Sequence, residues 1–311
     1  IDADMAKKVQ FYMTAYLRSL VSKADKNKVY DRLGWHDDYK TFVLAHAIYH
    51  RDGSVVAHDA SKSVQTALRE GVVSAGTLEG WVHGMKFYGG DKNYHNRTFL
   101  LGAFASPLLH MTGHKGVLMA ASGETGRGKT TMLEACASVW GHPERLVVYG
   151  GPQGATVNAM YYMMGVSHSL PILWDETTER ETQDMKEFLL AIPQGKGKIR
   201  LNKASEHDGK LATWEAIVMS SANTDDVSRI LAVGKDSDPQ LMRMVGVEFE
   251  EIDTSTEAKI AADKFKRAMR EHYGHAGAIF IRYVTEHYLT VKRRVEQVME
   301  EIDREMQATS P

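Results

Sequence analysis

The sequence predicts an α/β fold: a mainly parallel central sheet covered by helices, with a small α+β region before it and helices after it. Three observations carry this. From Lys115 onward, short apolar runs alternate with helical stretches in a strand, loop, helix rhythm. A glycine-rich stretch, "GETGRGKT" at 123–130, lies between an apolar run and a helical one. Two later apolar runs, "LPILWDE" and "WEAIVMSSAN", end in polar side chains.

The elements follow in order. Residues 4 to 23 place Met5, Val9, Met13, Tyr16, Leu17 and Leu20 at a helical period. The stretch "DRLGWHDDYKTFVLAHAIYHRDGSVVAH" breaks into short apolar runs around "HDD" and "RDGS", which read as β-hairpin turns. Residues 60 to 113 read as largely helical with Gly and Pro breaks. Strands are expected at "GVLMAAS", "ERLVVYG", "SLPILWD", "WEAIVMSSA" and "MVGVEFEEI", and helices at 128–140, 153–166 and 178–192. From Thr256, two helices are expected, separated around "HYGHAG". The reading gives three parts: 1–94, an N-terminal helical and partly β region; 95–255, the α/β core; and 256–311, C-terminal helices.

Bulk properties set limits. The 311 residues are 43% apolar and 25% charged, ordinary for a soluble globular chain long enough for a large core. A net charge of −2 excludes a surface basic all over, so any nucleic-acid contact must be focal. The single Cys136 excludes an internal disulfide and a multi-cysteine zinc site. The fourteen histidines show no metal-ligand pattern. No secretory signal or membrane span is read, so a cytoplasmic location is expected. The chain opens on Ile1, and a preceding segment is expected.

The chemistry begins at the glycine-rich loop. Gly123, Gly128, Lys129 and Thr130 fit G-x-x-x-x-G-K-[ST], with Gly126 an added glycine. Glycines let the backbone of Gly123, Glu124, Thr125, Gly126, Arg127, Gly128, Lys129, Thr130 and Thr131 wrap a phosphate and aim N–H groups at it. Lys129 would reach the β- and γ-oxygens of ATP, and the Thr130 hydroxyl would bind Mg²⁺. Asp175 would hold Mg²⁺ through water, and Glu176 would act as general base; the competing reading is an acidic helix cap in "DETTER". Asn223 would contact the γ-phosphate or the lytic water, or else cap the turn "SANTDD". Arg243 suits a finger reaching a neighbouring subunit's γ-phosphate, with Arg229 the substitute and a pairing with Asp236 or Asp238 the bland alternative.

These motifs, in this order, resemble the superfamily 3 replicative helicases of viruses and phages, a branch of the AAA+ ATPases, over about residues 95 to 255. "RLGWHDDYKTFVL" and "GGPQGATVNAM" more loosely resemble replication proteins of phages and mobile elements. The resemblance implies an ATP- and Mg²⁺-dependent helicase that assembles as a hexameric ring of identical subunits. It implies single-stranded DNA as partner, alongside other replication proteins or a fused primase or polymerase region. It also implies a pore hairpin after the strand "LPILWDE", which would be the Walker B strand. "IPQGKGKIRLNKASEHDGKLATW" occupies that place, with a DG turn signal. Lys196, Lys198, Lys203, His207 and Lys210 would there meet phosphates without reading sequence. Taken alone, the segment reads as a solvated charged loop. Two other readings remain open: a motor for protein or duplex DNA, and a nucleotide-gated assembly factor, against which Glu176 argues.

Overall fold

The computed structural model describes residues 3–23, 30–58, 66–90, 93–150, 154–176, 188, 190–197, 212–223, 244–250 and 253–309. The chain divides into two compact units, Ile1–Tyr30 and Asp31–Pro311. The first holds helix α1 (Ala3–Lys23), as the apolar period predicts. Its Met5, Val9, Phe11, Tyr12, Met13 and Tyr16 are exposed.

The second unit opens with four short strands: β1 (Gly34–His36), β2 (Thr41–Val43), β3 (Ala47–His50) and β4 (Val55–Ala57). They form an antiparallel meander in sequence order. The hairpin turns expected at "HDD" and "RDGS" join them. Helices α2 (Thr66–Gly71), α3 (Leu78–Met85) and α4 (Tyr94–Ala105) follow, then a 3₁₀ stretch, Ser106–Thr112. Thr77 caps α3 by accepting from the Gly80 N–H at 3.1 Å.

Among the described residues the central sheet has five strands: β5 (Gly116–Ser122), β6 (Val147–Tyr149), β7 (Ile172–Asp175), β8 (Ala216–Ser221) and β9 (Met244–Glu248). Their spatial order is β6-β7-β8-β5-β9 and every pairing is parallel. Helices α5 (Lys129–Trp140), α6 (Pro143–Leu146) and α7 (Val157–Ser167) lie in the connections. The inner strands β5, β7 and β8 are buried almost throughout, which explains their unbroken apolar runs in the sequence. Side chains alternate across the sheet. Leu118, Trp174 and Val218 pack with Met160 and Met164 of α7 on one face. Met119 and Met219 point to the other, where a Cβ on Gly102 of α4 would come within 2.6 and 2.9 Å of their side chains. Glycine at 102 therefore lets α4 lie close to the sheet.

Two expectations are corrected. "ERLVVYG" is not one strand: Pro143 starts the helical turn α6, because its fixed φ favours a first helical position, and only Val147–Tyr149 is extended. The C-terminal region holds three helices, not two: α8 (Thr256–Glu271), α9 (His275–Glu286) and α10 (Tyr288–Thr309). Gly274 (φ 79°) makes the expected break. The unforeseen break falls at His287, with no Gly or Pro nearby. There Tyr288 packs edge-on to Trp35, centroids 5.5 Å apart, and accepts the Arg51 guanidinium over its ring at 3.9 Å. Long-range packing sets that break.

Candidate nucleotide site

The site forms at the C-terminal edge of the parallel sheet, where ligands bind in open α/β folds. β5 ends at Ser122, and the chain turns through Gly123 (φ 138°), Gly126 (φ 88°) and Gly128 (φ 83°) into α5. A Cβ on Gly126 or Gly128 would meet nothing within 4 Å, so handedness, not crowding, demands glycine there. The surface over this turn is open, as a cradle for a phosphate requires. A Cβ on Gly123 would lie 2.7 Å from the Phe249 carbonyl.

Lys129 is buried at the start of α5. Its ammonium donates to the loop carbonyls of Gly123 and Glu124 (2.9 Å to the latter) and to Asn223 Oδ1 at 3.4 Å. Burial pulls its pKa below the usual lysine value, opposed by the Glu176 and Asp175 carboxylates. Thr130 Oγ1 donates to Asp175 Oδ2 at 2.9 Å. A hydroxyl beside a carboxylate is an all-oxygen donor set that fits Mg²⁺. Arg127 pairs with Glu124 at 2.9 Å on the rim.

β8 lies between β5 and β7, so its end closes the site from between the loop and Asp175. Ser221 donates to Asp175 Oδ1 and accepts the Glu176 N–H at 3.3 Å. Glu176 is left-handed (φ 58°), uncommon for a non-glycine residue. Its Oε2 accepts from Asn223 Nδ2 at 3.4 Å. Its Oε1 is buried without a hydrogen-bond partner among the described residues. Asn223 also accepts from Thr125 Oγ1 at 3.5 Å, so one amide touches loop, lysine and carboxylate.

The fold thus brings Lys129, Thr130, Asp175, Glu176 and Asn223 together. Ser221, which fixes both carboxyl residues, was not singled out from the sequence, although it lies in the same "SSAN" run. Arg243, Arg229, Lys198, Lys203, His207 and Lys210 lie outside the described residues. Lys196 is exposed and bridges antiparallel to Thr213. Cys136 is buried, and burial raises its thiol pKa well above the usual range, as expected of a core residue. Among the described residues there is no metal-ligating cluster of His, Cys, Asp and Glu, and no helix long and apolar enough to cross a membrane.

The structure is similar to one described as "SCCmec type IV Cch - active helicase", with a TM-score of 0.65 at 17% identity. The match covers 96% of this chain and 55% of that one, so this chain spans about half of its length. That likeness establishes a P-loop, helicase-like α/β fold. The apo C-terminal region of NrS-1 (TM-score 0.36, 13% identity, 86% and 59% covered) and inhibitor-bound JCV helicase (0.34, 11%, 74% and 62%) share too little of the backbone path to bear on function. No curated protein matches the sequence. A family described as "Domain of unknown function (DUF927)" matches residues 3–215, a span holding the meander, the phosphate loop and Asp175 with Glu176. With most of its length so matched, this P-loop chain belongs to the DUF927 family.

Proposed function

We propose that this chain is the ATP-hydrolysing core of a DNA helicase or translocase of superfamily 3 type, serving phage or plasmid replication in the cytoplasm. In this reading residues 95–255 form the motor, 1–94 the accessory region and 256–311 a helical appendage. One observation carries the reading: a phosphate cradle, an oxygen donor pair for Mg²⁺ and a carboxylate oxygen with no partner among the described residues meet within one hydrogen-bonded group. A protein that only sensed nucleotide would have little use for that carboxylate.

Mg²⁺ supplies charge neutralisation on the phosphates, and Thr130 and Asp175 would hold it. Lys129 exchanges its loop carbonyls for β- and γ-oxygens. Glu176 Oε1 accepts a proton from the attacking water, while Asn223 orients that water and holds the carboxylate by Oε2. Arg243, with Arg229 as substitute, completes the site from a neighbouring subunit of a hexameric ring. Lys196, Lys198, Lys203, His207 and Lys210 grip the phosphates of single-stranded DNA.

Steady-state ATPase with and without single-stranded DNA tests this. Strong stimulation, lost in Lys203→Ala while basal turnover survives, is expected. Robust turnover indifferent to DNA and to Lys203 would sink the translocase and favour a motor acting on protein.

A further inference from the structure

At the edge of the sheet opposite the nucleotide, Lys115 precedes β5 and Glu215 precedes β8, and the two form an ion pair. Glu215 is only 7% exposed, and the Tyr39 hydroxyl lies 3.1 Å from each of its carboxylate oxygens. Tyr39 ends a run of three left-handed residues, Asp37 (φ 54°), Asp38 (52°) and Tyr39 (61°), in the β1–β2 turn. Non-glycine residues keep such a conformation only where surroundings over-determine it. Here the Tyr39 ring stacks on His110 at 4.1 Å and 9°, and its carbonyl accepts from Arg51 Nη2 at 3.0 Å.

The same place is the root of the segment read as a DNA-gripping hairpin. Lys196 and Thr213 bridge antiparallel, Gly197 N–H donates to Ala212 O at 2.8 Å and Trp214 N–H to Gly195 O at 3.0 Å. A Cβ on Gly195 would lie 2.4 Å from Lys115 Cβ, so Lys115 packs directly on one side of the root, while Glu215 continues the other. From Glu215, β8 runs straight to Ser221 and on to Asn223 in the nucleotide site.

We propose that the front meander anchors this root: Tyr39, Glu215 and Lys115 are positioning residues that hold residues 195–197 and 212–215 in fixed relation to β8. A root fastened to the meander keeps residues 195–197 and 212–215 in register with β8, whose other end leads to Asn223. The consequence for DNA rests on the proposed translocase; the anchor itself does not.

The test uses the full chain with Tyr39→Phe, which removes one hydroxyl, and Glu215→Gln, which removes the charge and keeps an acceptor. Amide hydrogen exchange is followed in peptides covering 192–197, 212–217 and, as control, 116–135. Basal and poly(dT)-stimulated ATPase are measured beside it. Exchange in the two root peptides is expected to quicken tenfold or more with the control unchanged, basal turnover to stay within twofold, and stimulated turnover to fall at least threefold. Root exchange that stays unchanged in both variants, or rises only in step with the control, overturns the anchor. If the unaltered protein shows no stimulation by DNA, the translocase fails, and root exchange still decides the anchor.

Discussion

Glu176 shows how much one side chain's chemistry depends on its backbone. A left-handed φ of 58° sits beside a carboxylate whose Oε2 is held by Asn223 and whose Oε1 has no hydrogen-bond partner among the described residues. Such strain, of order 1–3 kcal/mol, persists where neighbours hold it, here the Ser221 hydroxyl on the Glu176 N–H. Replacing Glu176 with Gln is expected to cut turnover roughly 10²- to 10⁴-fold, the range for a lost general base, while a fluorescent ATP analogue still binds within a fewfold of wild type. Equal loss of binding and turnover would show a structural carboxylate instead. The buried His168 and the half-buried His110 make a second residue-scale prediction. Burial lowers His110 to about 4 and His168 to about 2. His110 Nδ1 is 3.0 Å from the Pro107 carbonyl and Nε2 is 3.0 Å from the Tyr288 hydroxyl, a pairing that suits the neutral ring. Unfolded, both would titrate near 6.5, so between that value and about 4 the unfolded chain binds more protons. The contribution of each is full above pH 6.5; that of His110 is lost as pH falls towards 4 and that of His168 as it falls towards 2. Thermal unfolding followed across that range should show a falling midpoint, and a flat profile would contradict their neutral state in the fold.

At the scale of elements, two turns obey opposite rules. In the phosphate loop the left-handed positions carry glycine, so the motif is visible in the sequence. In the β1–β2 turn they carry Asp37, Asp38 and Tyr39, each costing about 1 kcal/mol against a relaxed backbone. Asp38→Gly should therefore stabilise the protein by up to about 1 kcal/mol, read as a raised denaturation midpoint in urea. A lowered midpoint would mean that the Asp38 side chain contributes more than its backbone costs. Close packing makes the reverse prediction at Gly116, where an added Cβ would lie 2.0 Å from the Ile192 carbonyl. Gly116→Ala must push the 3₁₀ turn Ile192–Gln194 off the start of β5, at a cost of roughly 1–3 kcal/mol measured the same way.

At the scale of the whole molecule, the proposed shared site makes activity a property of the assembly. Lys129→Ala and Arg243→Ala, each inactive alone, should regain part of the wild-type ATPase rate when mixed, because some interfaces then combine an intact loop with an intact finger. No recovery at any ratio, with both variants shown to co-assemble, would remove Arg243 from the site. Mg·ATP at a hundred times its Kd should stabilise the wild type by about 2.7 kcal/mol, an increment Lys129→Ala should lose.

The sequence by itself determined whatever rests on neighbours along the chain: the phosphate loop, whose glycines and lysine lie within eight residues, and the apolar strands and their polar ends. It carried Asp175, Glu176 and Asn223 as well, because each directly follows or ends an apolar run. Tertiary structure alone decided the order β6-β7-β8-β5-β9, which sets Ser221 between Asp175 and Glu176. It also decided the helix break at His287 and the contact of Tyr39 with Glu215, 176 residues apart. Local pattern cannot encode such pairings, since a hydroxyl or a carboxylate reads the same in a solvated turn as in a buried one. Only the packing of the meander against the base of the sheet buries Glu215 and sets the half-buried Tyr39 hydroxyl against its carboxylate.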